Sequence, residues 1–533
     1  MHQHAWDSTL LAIGLEPQLF VDNMLVASVQ DATRRWHAPT RYQDGPLFTE
    51  DRPWEHRLWI AYYGSTTLIR DPDDGLFKCW YQDQEGDPRK GESPGSRPPA
   101  NFSMRATLLY AQSSDGVHWE KPDLDVSTIG GRRTNIVLGG GTVPGGGDFG
   151  DAHAMTVVRD PYPPRPEERF RGMLRRIWFE GEVRNRVTTA VHSPDGIHWS
   201  MYPERPTFGS RGGSPGDVNI LWYDEHSREF VVNIRAHIGG LPGAVNLRHP
   251  YRAHGFLHPY QPHDPLSQNK RRVWQSRSHD FIHWSEPLLI AVPDDDEDGL
   301  DEGYYGLSQF RIGHQHLGTA GLFHKVDNTM EVQLLQSRDG LRWRPTAKRQ
   351  PFLAPRGPGH WDAWMTSLFS QPIDVGDEHW FYQGGFNYHH DWFLAGPNEE
   401  LDHDEARNPT GTSGGLGLVT LRRHGFASLS ANAVREGIVV TQPVQSPGRR
   451  LAINARCRPG GSIRVEVADR RDEVIEPCRH DACDPVTGDS VQHVVSWGGD
   501  PGVPAPAGDG NWRVLRFFLR DADLYSFTFL PAE

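Results

Sequence analysis

Four copies of one short turn motif, a high aromatic content and abundant glycine and proline predict an all-β chain: a five-bladed β-propeller followed by a β-sandwich domain. The motif reads Ser113-Ser-Asp-Gly-Val-His-Trp119, Ser193-Pro-Asp-Gly-Ile-His-Trp199, Ser278-His-Asp-Phe-Ile-His-Trp284 and Ser337-Arg-Asp-Gly-Leu-Arg-Trp343. Copies recur at roughly 60–85 residues, the length of one four-stranded blade with its loops. With 18 Trp, 56 Gly and 42 Pro in 533 residues, short strands and tight turns are favoured over long helices.

Each element follows from local pattern. The motif copies terminate strand-like runs at Thr107–Gln112, Val187–His192, Val273–Ser276 and Val332–Gln336. Asp-Gly supplies a tight turn, and the Trp can pack its ring between neighbouring sheets. A fifth unit lacks the motif but keeps the strand order: Asp362–Phe369, Glu378–Gly385, Gly415–Leu421 and Gly425–Leu429. The strand Pro17–Val26 is left over, and closing the ring with it would remove an exposed sheet edge. After Gly437 the pattern changes to longer alternating strands such as Ser462–Ala468 and Trp512–Leu519, separated by Gly and Pro turns, as in a sandwich. The expected organisation is an N-terminal segment with the closing strand (1–30), the propeller (31–436) and the sandwich (437–533).

Charge and cysteines narrow the function. The net charge of −14 disfavours a nucleic-acid partner. No apolar run approaches the roughly 20 residues that span a bilayer, so no membrane partner is expected. Met1–Leu15 lacks a basic start, apolar stretch and cleavage site, and a cytoplasmic location is expected. Cys79, Cys457, Cys478 and Cys483 are too few for a disulfide framework and are expected as free thiols.

The blade pattern, closing strand and sandwich tail resemble the five-bladed propeller glycoside hydrolase superfamily, the β-fructosidase and arabinanase group of family 32/43 type. The resemblance covers nearly the whole chain at the level of architecture. The fructosidase signature Trp-Met-Asn-Asp-Pro-Asn is absent. The triplets Arg70-Asp71-Pro72 and Arg159-Asp160-Pro161 are expected to be structural turn starters. The resemblance implies a glycosidase acting on a terminal sugar of a small carbohydrate. A glycosyl-transferring or phosphorolytic relative and a non-catalytic carbohydrate-binding propeller are the alternatives.

Glycosidic cleavage needs one carboxylic acid to protonate the leaving oxygen and a second carboxylate as nucleophile or base. Innermost strands line a propeller's funnel, and their starts here carry acids: Glu55, Asp151, Asp217, Asp301-Glu302 and Asp362. Glu302 is expected as the general acid, with Asp151 or Asp217 as base or nucleophile and Glu55 competing for that role. Asp301, Asp362, His153, His324, Arg235 and His237 are expected to bind substrate, Arg235 and His237 being candidates for a phosphate. Trp54, Tyr304 and Trp364 could stack on sugar faces. No cofactor is required. The resemblance leaves room for an axial calcium that no residue pattern indicates, and the run Asp294–Glu302 lacks the twelfth-position Glu of a calcium loop and reads as solvated. The sandwich could pack on the propeller or against a second copy in a homo-oligomer.

Overall fold

The computed structural model describes residues 11–84, 106–139, 151–180, 183–209, 218–235, 271–294, 296–299, 302–324, 327–390, 411–504 and 510–532. The chain is all-β. Among these residues, four antiparallel units are built consecutively. Blade one holds Thr66–Arg70, Phe77–Gln84, Ala106–Ser113 and Ile136–Gly139. Blade two holds Asp151–Arg159, Phe170–Glu180, Val183–Ser193 and Ser200–Met201. Blade three holds Asn219–Asp224, Glu229–Ile234, Val273–Ser278 and Leu288–Ala291. Blade four holds Glu302–Ile312, Gln315–His324, Thr329–Ser337 and Arg344–Pro345. In blade five, Met365–Leu368, Glu378–Phe386 and Gly414–Arg422 are joined by two strands from the start of the chain.

The repeated motif sets the ring order. In the first copy, Asp115 accepts from the amides of Val117 and His118, Gly116 N–H donates to Ser113 Oγ, and the Trp119 indole donates to the Gly116 carbonyl. The other three copies repeat these bonds. The carbonyl at the turn then takes a donor from the preceding blade. Tyr382 of blade five donates to Gly116 O (3.0 Å), Trp80 of blade one to Gly196 O (2.6 Å) and Gln275 of blade three to Gly340 O (3.3 Å). In the third copy Arg171 of blade two donates to the neighbouring Asp280 O (3.0 Å). The motif is therefore an inter-blade clasp, and the fifth blade meets the first.

Ring closure differs from the sequence expectation. Thr40–Arg41 and Phe48–Thr49 pair with Val419–Thr420 and Gly415–Leu416 of blade five. The expected closing strand instead pairs Gln18 and Leu19 with Phe527 and Ser526 of the sandwich. Its apolar side chains explain this: Phe20 packs 5.9 Å from Phe527 and 6.4 Å from Phe517, burying area that two-residue ring strands could not offer. The run Gly425–Leu429, expected as the last strand of blade five, falls instead in the strand Ala427–Ala431, which pairs with Thr33–Trp36 and with Leu524 in the sandwich.

The sandwich is wound around two 19-residue strands, Arg450–Ala468 and Trp512–Leu530. A register shift between Cys457 and Ser462 bends the first, as a bulge does. All four cysteines are buried free thiols. In the acidic run before blade four, Asp294, Asp296 and Glu297 are exposed as expected, whereas the Asp298 side chain is fully buried and ion-paired to Arg349. Both Arg-Asp-Pro aspartates are buried in ion pairs, Asp71 with Lys78 (2.5 Å) and Arg169 (2.5 Å), and Asp160 with Arg171 (2.7 Å). Among the described residues no helix is long and apolar enough to cross a membrane.

Candidate active site

The segment Ile60–Ser65, just before the first strand of blade one, crosses the axis. The Tyr63 ring reaches blade four, where only glycine fits: a Cβ on Gly306 would lie 2.6 Å from Tyr63 Cβ, and one on Gly321 2.5 Å from its Cε2. Its hydroxyl accepts from the Leu368 amide of blade five (3.4 Å). Tyr63 is 1% exposed, and burial pushes its hydroxyl pKa well up, so it acts as a neutral plug.

Beside the plug, the starts of the first strands and the ends of the second strands meet. Tyr62 lies 5.9 Å from Tyr305 of blade four, nearly parallel to it, and 5.1 Å edge-on to His390 beyond blade five. His390 Nε2 is 3.3 Å from Tyr305 Oη. Trp59 packs 5.4 Å from His153 of blade two, whose Nδ1 is 3.2 Å from Gln82 Nε2. Three guanidiniums stack on this wall: Arg235 at 4.8 Å and Arg271 at 4.3 Å from the Tyr305 ring, and Arg57 at 5.5 Å from Tyr388. Asn219, at the start of blade three, is 0% exposed, and its side-chain amide makes no hydrogen bond among the described residues.

Glu302 begins the first strand of blade four. Its carboxylate accepts from Gly299 N–H (2.9 Å) and lies 3.7 Å from His324 Nδ1. The other ring nitrogen of His324 is 3.9 Å from Glu331. Burial raises the Glu331 pKa; His324 opposes the rise and the Glu302 charge adds to it. Two carboxyl groups thus flank one imidazole, one of them held toward its neutral form, which is the asymmetry acid–base chemistry needs.

Several expected site residues are committed elsewhere. The Glu55 side chain is fully buried, accepting from Tyr81 Oη (2.7 Å), Lys121 Nζ (2.8 Å) and the amides of Asp51 and Arg52. Trp54 joins the same network by donating to Asn135 (2.7 Å). Asp362 is buried between Arg41 (2.8 Å), Arg356 (2.6 Å) and Gln383 (2.8 Å). Tyr304 packs in the core between blades three and four, because strand alternation turns Tyr305, not Tyr304, to the axis. Trp364 stacks on His389 at 4.3 Å and lines a separate groove of about 490 Å³ with Asp327 and Thr329.

Asp217, Asp301 and His237 lie outside the described residues, as does the side chain of Asp151. The residues sequence reading missed are Arg57, Arg271, Tyr305 and Glu331. Only Tyr305 had a signal, the one-residue alternation that separates it from Tyr304. Among the described residues no group of three or more His, Cys, Asp or Glu is placed to hold a metal ion.

No family model matches the chain, and no curated protein matches it in sequence. Several solved structures show a distant similarity to this chain. A glycoside hydrolase is 11% identical with a TM-score of 0.43, over 72% of this chain and 92% of its own. A family 32 β-fructofuranosidase of Bombyx mori is 12% identical with a TM-score of 0.36, over 93% and 94%. A β-1,2-mannobiose phosphorylase from Listeria innocua is 11% identical with a TM-score of 0.40, over 72% and 96%.

Proposed function

We propose that the chain is a glycosidase that removes a terminal sugar in the mouth bounded by Tyr62, Tyr305 and His390. The observation that carries this reading is the convergence of side chains from blades one, three, four and five around the buried Tyr63. A plugged mouth accepts a chain end and excludes a chain threaded through the axis. Tyr62 and Tyr305 stack on each other as a rigid aromatic wall, and the Asn219 amide is a buried polar group that can meet sugar hydroxyls.

In this reading Glu302 protonates the leaving oxygen, and Asp151 or Asp217 is the nucleophile or base. His324 lies between Glu302 and Glu331, 3.7 Å from the first and 3.9 Å from the second. The test is hydrolysis of a panel of aryl furanosides and pyranosides by wild type, Glu302→Gln, Asp151→Asn and Asp217→Asn. Loss of cleavage by about a hundredfold or more in Glu302→Gln and one Asp variant is the expected result. Full activity in Glu302→Gln overturns the assignment. Sugar binding without turnover in wild type would instead identify a binding propeller.

The three guanidiniums favour a second reading, phosphorolysis, in which Arg57, Arg235 or Arg271 holds inorganic phosphate as the attacking group. Running the same panel with and without phosphate separates the two. Phosphate-dependent cleavage that yields a sugar phosphate selects the second.

A further inference from the structure

The sandwich carries an open groove of about 720 Å³, away from the funnel, whose lining includes Arg464, His480, Ser462, Thr487, Phe518 and Arg520. It is built by register. Ser462 faces Arg520 and Arg464 faces Phe518 across the two long strands, so these four side chains share one face of the sheet. The bulge between Cys457 and Ser462 lifts the backbone at its edge. The His480 ring packs edge-on against Phe518 at 4.3 Å, fixing that ring as a wall.

The charges in the groove are unbalanced. Arg458 is held by Asp523 (3.0 Å) and Asp521 (3.5 Å). Arg464 donates to the Cys483 carbonyl and interacts with the nearby Asp484 carboxylate, whereas the exposed Arg520 makes no ion pair among the described residues. His480 Nε2 is buried with no hydrogen-bond partner among the described residues. The single acid in the lining is Glu436. A locally cationic groove on a chain of net charge −14, with a fixed aromatic ring between two guanidiniums, suits a ligand that joins an anion to a flat, partly apolar ring face.

We propose that this groove binds an acidic saccharide, its carboxylate held by Arg464 and Arg520 and its sugar ring laid on Phe518. The anionic part rests on the groove alone. The saccharide part rests also on the carbohydrate-acting reading of the propeller. The volume exceeds what an inorganic anion fills, and the Ser462 and Thr487 hydroxyls can meet sugar oxygens.

The test is calorimetric titration of the full chain with trigalacturonate, its methyl ester and sodium sulfate. The proteins are wild type, Arg520→Glu, Phe518→Ala and Glu302→Gln. Trigalacturonate is expected to bind wild type and Glu302→Gln alike, and about tenfold or more weaker in Arg520→Glu and Phe518→Ala. The ester should also bind about tenfold weaker or worse. Arg520 is exposed, so Arg520→Glu is expected to keep the wild-type melting temperature and propeller activity. Absence of binding, or binding unchanged by Arg520→Glu, overturns the proposal. Displacement of the trisaccharide by equimolar sulfate would reduce the groove to a simple anion site and overturn its saccharide part. Loss of binding in Glu302→Gln alone would assign the ligand to the funnel and likewise overturn it, whereas an inactive propeller with groove binding intact would sink only the glycosidase reading.

Discussion

Replacing Asp362 by Asn should open the ring at its closure. The Asp362 side chain is fully buried and takes hydrogen bonds from Arg41 on the closing strand, from Arg356 and from Gln383. Removing one partner of a buried ion pair costs about 3–5 kcal/mol. Arg41 and Arg356 keep 23% and 15% of their side-chain exposure, so water can recover part of that, and about 3 kcal/mol is expected. With an unfolding entropy of roughly 2 cal/mol/K per residue over about 380 propeller residues, the melting temperature falls by about 4 °C.

The pH dependence supplies a second check on Asp362→Asn. Burial alone would raise the Asp362 pKa, but Arg356, Arg41 and Gln383 outweigh it and hold the carboxyl below its ordinary value. A depressed carboxyl contributes its full stability above the unfolded value of about 3.9 and loses it as pH falls through the native one. The gap between wild type and Asp362→Asn, followed by scanning calorimetry, should be constant at pH 6–8 and shrink under acid. A gap below about 1 kcal/mol at pH 7, or one that persists undiminished in acid, would refute the reasoning. A rise in KM with unchanged stability would instead return Asp362 to the substrate.

Glu55→Gln leaves Lys121 with the exposed Asp51 and the Thr49 carbonyl and should cost about 2 kcal/mol in chemical denaturation, while leaving turnover per folded molecule intact; a catalytic loss without destabilisation would contradict this. Gly116→Ala combines a positive φ of 78° with a Cβ 2.4 Å from Tyr382 Oη, whereas Gly75→Ala at φ 76° meets nothing within 4 Å. Unfolding titrations should therefore show about 3 kcal/mol for the first and about 1 kcal/mol for the second, and equal losses would refute the clasp. Burial raises the Glu331 carboxyl, against His324 and with help from Glu302. A raised carboxyl is best tolerated at low pH and destabilises as pH rises through its native value. Glu331→Gln should therefore raise the melting temperature at pH 7 and lose that advantage below pH about 4.

The blades were legible because the Ser-x-Asp-x-x-x-Trp turn satisfies its own hydrogen bonds within seven residues. Its signal is local, and so is its cause. Ring closure was not legible, since Thr40–Arg41 and Phe48–Thr49 are two-residue strands with no periodicity to read. An apolar run such as Leu19–Val21 announces burial but not in which core. The same limit governs the acids. Glu55 and Asp362 stand where funnel acids should, yet their partners Lys121 and Arg41 are 66 and 321 residues away in sequence. Whether a carboxylate faces substrate or an arginine is decided by contacts at that range.

The interleaving of the chain's two ends also constrains how the protein is made. Residues 18–36 wait for strands at 427–530, and residues 40–49 wait for the strand at 414–422. During synthesis on the ribosome, neither domain can complete its sheets until nearly the whole polypeptide has emerged. The first blades must then stand as an open arc with a raw edge in the meantime. A gene fragment cut at residue 437 would keep the ring-closing pairs but leave Gln18–Leu19 and Val26–Gln30 unpaired, and the remainder would be a sandwich short of its first strands. The two domains are therefore expected to be inherited, expressed and lost as one piece.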